Sequence, residues 1–177
     1  MRILTLSTLF PAASRPNFGI FVERQTAALT AVRDFAVTVV NPIGIAPWPL
    51  NLFGDKTRLA DLHNEQWGEL DVYRPRFMAI PKIGGRLNPD MIARSVLPVA
   101  RRLHAEIGFD LIDAEFFFPD GPAAMKLSEA LGIPYTIKAR GADIHYWGDQ
   151  SGCREQIIEA ADKAAGLLAV SGALKSD

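Results

Sequence analysis

Six short apolar runs punctuate this chain: Ile3 to Leu6, Phe35 to Val40, Leu70 to Tyr73, Leu111 to Ala114, Pro134 to Ile137 and Gly166 to Val170, with helical patterns between most of them. A strand built from consecutive apolar residues needs cover on both faces. Strand and helix in alternation supply that cover, because each crossover lays a helix over a parallel sheet. The pattern predicts an α/β fold, a Rossmann-like three-layer αβα sandwich around a mainly parallel, twisted sheet. At 177 residues the chain suits one full domain and is short for two.

The helical segments have their own signals. About Gly19 to Val32, the residues Phe21, Gln25, Ala28 and Val32 fall on one stripe, predicting an apolar core face interrupted by Gln25 near the ligand end. About Asp90 to Ile107, the stripe Ile92, Val96, Val99, Leu103 and Ile107 predicts a long helix, and Pro98 inside it predicts a kink or two abutting helices. Asp120 reads as the N-cap of a third helix that stops at Gly132 before Pro134. A fourth runs from about Gly152 to Ala165.

Bulk properties narrow the partners. Nineteen basic against twenty acidic residues leave a formal charge of −1, without the basic field that nucleic acid requires. The lone Cys153 excludes an internal disulfide framework and agrees with a reducing compartment, where it reads as a packing or surface residue. No apolar run approaches the roughly 20 residues of a membrane-spanning helix. The opening segment, interrupted by Thr5, Ser7 and Thr8, reads as a first parallel strand rather than a signal peptide. The expected location is cytoplasmic, with peripheral contact at the inner face of a membrane left open.

In an open parallel sheet the ligand lies beyond the carboxyl ends of the strands. The loop Ser7 to Gly19 follows the first strand and makes Phe18 and Gly19 candidate ligand contacts, but it lacks G-x-G-x-x-G, so a dinucleotide cradle is not expected. After the fourth run come Asp113 and Glu115, two apart and therefore on one side of an extended segment. They are the candidate catalytic carboxylates, for acid–base work or for hydrogen bonding. The segment Lys138 to His145 offers Arg140 as an anion fork, Gly141 for close backbone approach, and Asp143 and His145 as acceptor and titratable group, with an Arg140–Asp143 turn pair as the simpler alternative.

Two stretches break the alternation. Gly44 to Arg58 carries Trp48, Leu50, Leu52 and Phe53 among prolines and glycines, as a docking surface or as a connection folded onto its own domain. Val72 to Pro89 carries Arg74, Arg76, Lys82 and Arg86 with no acidic residue, as a surface for phosphates or an anionic membrane, or as a solvated loop.

Ser7-x-x-Phe10-Pro11 with Gly19-x-Phe21-Val22-x-Arg24-Gln25, then Asp110-Leu111-Ile112 with Phe118-Pro119-Asp120-Gly121, Arg140-Gly141-Ala142-Asp143-Ile144, and Ala169-Val170-Ser171-x-x-Leu174-Lys175 stand in an order that resembles family 4 glycosyltransferases. The resemblance implies one half of a GT-B fold, in a retaining hexosyltransferase-type enzyme that uses a nucleotide-sugar donor. It implies a cleft between two domains, with Phe18, Gly19, Arg140, Gly141, Asp143 and His145 on this wall and Trp48, Arg74, Arg76, Lys82 and Arg86 toward the acceptor or a membrane. It implies no cofactor and no metal, since electrostatics can stabilise the leaving diphosphate. The family's donor domain carries two glutamates eight positions apart, a spacing absent here. Residues 1–177 are therefore expected to be the acceptor-side domain alone, inactive without its partner. Many relatives carry histidines where this chain has Asp113-Ala114-Glu115, a departure that leaves the catalytic residue unassigned. A sugar-nucleotide epimerase of the same architecture and a non-catalytic binding module remain alternatives.

Overall fold

A computed structural model of the chain describes residues 1–49, 61–80 and 85–176. Seven strands form the main sheet: β1 (Arg2–Leu6), β2 (Ala36–Val40), β4 (Glu65–Trp67), β5 (Leu70–Tyr73), β7 (Leu111–Ala114), β8 (Tyr135–Ala139) and β9 (Gly166–Ala169). Their order is β4-β5-β2-β1-β7-β8-β9, parallel throughout except for β4 against β5. Taken in chain order, the parallel strands lie third, second, first, fourth, fifth, sixth, the order of doubly wound nucleotide-binding sheets. The direction of winding reverses between β1 and β7. The crevice of the fold opens there.

The predicted alternation is present, and each apolar run became a strand. β1 shows why both faces had to be apolar: Leu4 and Leu6 join the core shared with the helices α2 (Asn88–Ile107), α3 (Asp120–Leu131) and α5 (Arg154–Lys163), whereas Ile3 packs on the opposite side with Val22 of α1 (Ile20–Thr30). Two short helices, α4 (Ala142–Gly148) and α6 (Gly172–Ser176), follow β8 and β9. Buried Cys153 begins α5 within the core, and burial pushes its thiol pKa up, as suits a packing residue.

Three expectations need correction. The stripe assigned to the core face of α1 is not the buried one: Phe21, Ala28 and Val32 are exposed, and Val22 and Thr26 face inward. Thr26 disguised the true face, because its hydroxyl is satisfied within the helix by the Val22 carbonyl at 2.8 Å. Around Pro98, α2 is one unbroken helix of 20 residues, which removes the two-helix alternative. Pro98 is exposed, so the carbonyl it leaves without an N–H partner can be hydrated. Asp120 is not an N-cap; Pro119 holds that position, with no side-chain cap.

The irregular stretches contain a second, two-stranded parallel sheet of β3 (Ile43–Ile45) and β6 (Arg76–Met78). It prolongs the β2–β5 pairing past Pro42 and Pro75, through bonds from Asn41 N–H to the Tyr73 carbonyl and from Ile43 N–H to the Pro75 carbonyl, both 2.8 Å. Leu50, Leu52, Phe53 and Lys82 lie outside the described residues. At the far edge, β9 exposes Leu167 (53%) and Leu168 (48%), and Val170 follows at 56%. Leu167 and Leu168, together with Ile158 and Ala161 of α5 and Leu174 of α6, line an apolar groove of about 610 Å³.

Candidate functional site

The site builds outward from the reversal between β1 and β7. Glu115 continues β7 by donating its N–H to the Leu6 carbonyl at 3.1 Å, so Asp113 and Glu115 share one side of the extended chain. On the adjoining strand β8, Lys138 and Arg140 repeat the same spacing with opposite charge. The two pairs meet. Lys138 Nζ donates to Asp113 and, at 2.7 Å, to Glu115, while Arg140 Nη2 donates to Glu115 and to Gln25 of α1 at 2.7 Å. Thr136 Oγ1 donates to Asp113 at 3.0 Å, and the Phe21 ring lies 5.1 Å below the Arg140 guanidinium.

This ladder is buried and formally neutral, two carboxylates against two cations. Asp113 and Glu115 hold Lys138 and Arg140 in place across the two strands. Asp-x-Glu opposite Lys-x-Arg on neighbouring strands is a legible signal, and Lys138 is the member that the sequence reading left without a role.

Asp143 also has a different partner from the one considered. Its carboxylate accepts backbone N–H groups from Phe117 (2.8 Å), Arg140 (3.0 Å) and Gly141 (2.7 Å), tying the loop after β7 to the turn after β8. The Arg140 side chain bonds Glu115 and Gln25, so the proposed Arg140–Asp143 side-chain pair gives way to a backbone clamp. Gly141 has φ 117° and open space where a Cβ would stand, so it borders the crevice without being packed into the fold. His145 is exposed on α4, with its backbone N–H on the Gly141 carbonyl at 2.9 Å.

Gly19 has φ 72°, and a Cβ there would lie 2.5 Å from the Leu9 carbonyl carbon. The close backbone approach anticipated for a ligand is made to the chain's own loop. Beside it, Phe18 is partly exposed under the guanidinium of Arg15, 4.5 Å from the ring centre. Asp120 lies fully buried under the same loop, and Oδ2 accepts the Thr8 N–H at 3.1 Å. Its Oδ1 has no hydrogen-bond partner among the described residues; burial, the largest cause, pushes the pKa up to about 8, aided by Glu115 and Asp143 and opposed by Thr8.

The basic stretch divides. Arg74 is corrected from a surface residue to a buried one: its guanidinium donates to Glu65, to Asn41 and to the Pro11 carbonyl (2.7 Å), bracing the loop after β1. A desolvated guanidinium needs such partners. Arg76 on β6 and Arg86 are exposed, as is Trp48 at 77%. Among the described residues no group of three or more His, Cys, Asp or Glu side chains is arranged to hold a metal ion, and no helix is long and apolar enough to cross a membrane.

No family model matches the chain. Over its whole length it is similar to the "Putative teichuronic acid biosynthesis glycosyltransferase TuaC" of Bacillus subtilis (strain 168), 29% identical over 181 residues, and it spans 46% of that relative. Among solved structures it superposes with a TM-score of 0.54 on Arabidopsis thaliana UGT89C1 complexed with UDP, at 17% identity, covering 96% of this chain and 42% of that one. The UDP-GlcNAc 2-epimerase of Methanocaldococcus jannaschii matches with a TM-score of 0.53 at 12% identity, covering 99% of this chain and 41% of that one. The chain thus spans less than half the length of the proteins it matches. It has the Rossmann-like fold of one half of a GT-B architecture and is similar along its entire sequence to a protein named as a glycosyltransferase.

Proposed function

We propose that the chain is the acceptor-side domain of a retaining glycosyltransferase that uses a nucleotide-sugar donor. The observation that carries this is the whole-length similarity to a named glycosyltransferase, on a sheet whose winding reverses where open α/β folds bind ligands. A second domain, beyond these residues, grips the nucleotide. On this wall the Lys138–Glu115–Arg140 ladder and the Asp143 clamp hold the loops rigid, and Phe18, Gly141 and His145 border the space for the sugars. Fixed charges and dipoles stabilise the leaving diphosphate, without a requirement for metal. The relative's name places it in teichuronic acid biosynthesis, and from it we carry over an acidic acceptor. Trp48, Arg76 and Arg86 are exposed, and a peripheral membrane contact through them at the cytoplasmic side fits a lipid-linked acceptor.

The epimerase neighbours favour a second reading, in which the donor itself is rearranged. Full-length protein incubated with UDP-sugars, with and without acidic glycan acceptors, separates the two. Acceptor-dependent release of UDP with retention at the transferred carbon is expected. An altered UDP-sugar formed without acceptor selects the epimerase, and a full-length protein that binds no nucleotide sugar refutes both.

A further inference from the structure

The loop between β1 and α1 turns tightly before entering the helix. Ala12 and Arg15 form an antiparallel bridge, with the Arg15 N–H on the Ala12 carbonyl at 2.8 Å. Buried Asp61 pins the turn from outside, accepting from Ser14 Oγ at 2.6 Å and Ser14 N–H at 3.4 Å. Arg15 is thereby directed back over the Phe18 ring. It lines a cavity of about 50 Å³ with Thr8, Phe18, Pro42, Ile43 and Gly44, beyond the carboxyl ends of β1 and β2.

The Nε of Arg15 is buried and has no hydrogen-bond partner among the described residues. Its Nη2 stands 3.5 Å from Asp61 Oδ2, which offsets the charge but is long for a hydrogen bond. A desolvated donor left unused is costly in a structural arginine and rare in folded proteins. It is useful in a binding one. Nε and a terminal nitrogen form the edge of the guanidinium that takes a carboxylate or phosphate through two parallel bonds. The cavity has the volume of one or two waters at roughly 30 Å³ each. A carboxylate or a phosphate oxygen is of the size such a space admits.

We propose that Arg15, planar against Phe18, is the residue that recognises an oxyanion on the acceptor, with the acceptor's sugar ring outside the cavity. This rests on the acceptor-side reading above and adds the chemical class the acceptor must present. Two sources carry that chemistry: the carboxylate of a uronic acid and the phosphate of a phosphorylated sugar or carrier.

The test is equilibrium binding of glucuronate, glucose 6-phosphate and glucose to this chain, followed by amide chemical shifts, for the natural sequence and for Arg15→Gln, Arg15→Lys and Arg101→Gln. At least one anion is expected to bind tenfold or more tightly than glucose, and which one identifies the source. Arg15→Gln abolishes that preference, whereas Arg101→Gln, a change at an exposed arginine on α2, retains it. Arg15→Lys keeps the charge opposite Asp61 and so guards against simple misfolding, but it loses the fork and most of the preference. Equal binding of all three sugars overturns the proposal, as does a preference that survives Arg15→Gln or is fully kept by Arg15→Lys. Sugar transfer by the full-length protein with Arg15-independent anion binding rejects this subsite alone; Arg15-dependent binding without transfer rejects the transferase reading alone.

Discussion

Asp120→Asn should change how stability depends on pH. In the folded chain Asp120 is fully buried, with one oxygen on the Thr8 N–H and the other without a hydrogen-bond partner among the described residues, and its pKa is pushed from 3.8 to about 8. Between those values the folded state holds a proton that the unfolded chain has released. Stability therefore falls as pH rises through that window and levels off above it. At about 1.4 kcal/mol per pH unit for one proton, the loss from Asp120 between pH 5 and pH 8 is on the order of 4 kcal/mol. Asparagine cannot ionise, yet its amide oxygen can still accept the Thr8 N–H. Urea unfolding of both proteins at pH 5, 6, 7 and 8 isolates the effect, because every other titrating group is common to the two. The variant should be equal to or weaker than the natural chain at pH 5 and gain on it steadily toward pH 8. A stability difference that does not vary with pH would refute the claim that Asp120 is neutral in the fold.

Gly19→Ala and Gly132→Ala separate two costs in a glycine. Both have a positive φ, 72° and 70°, but a Cβ at Gly19 meets the Leu9–Phe10 peptide whereas one at Gly132 meets nothing within 4 Å. Urea unfolding should show a loss of about 1 kcal/mol at Gly132 and about 3 kcal/mol or more at Gly19; equal losses would deny the close packing. Lys138→Met leaves Asp113 and Glu115 buried with one cation fewer, for an expected loss of about 3–5 kcal/mol. Adding Asp113→Asn should recover part of it, and a single-variant loss below about 1 kcal/mol would show that water screens the ladder.

The fold was legible because a strand covered on both faces announces itself through a mostly apolar run, as β1, β2 and β7 do, each with one polar residue inside it. What stayed hidden is what tertiary contact decides. Thr26 looks polar and is buried, because a neighbouring turn satisfies its hydroxyl. Arg74 looks like a surface charge and is buried, because Glu65 and Asn41 come from elements whose pairing local sequence does not encode. β3 and β6 are too short to show periodicity and are flanked by prolines. At the site, local sequence suggests the pairs Asp113 with Glu115 and Arg140 with Asp143, but not the tertiary partners Lys138 and Gln25. Their roles depend on cross-strand register, visible only once β7 and β8 are placed side by side.

The exposed apolar rim of β9 bears on how the chain behaves in the test tube. Leu167, Leu168 and Val170 border a strand edge beside which, among the described residues, no further strand pairs, and such an edge can accept another strand. Amphiphiles, fluorescent hydrophobic dyes and lipid vesicles have somewhere to adhere other than Trp48, in a groove that Phe117 and Ile144 also line. Affinity of this chain for lipid is therefore not evidence that Trp48 touches a membrane. Dilution matters as much as composition, since self-association along that edge rises with concentration and can be mistaken for a specific dimer.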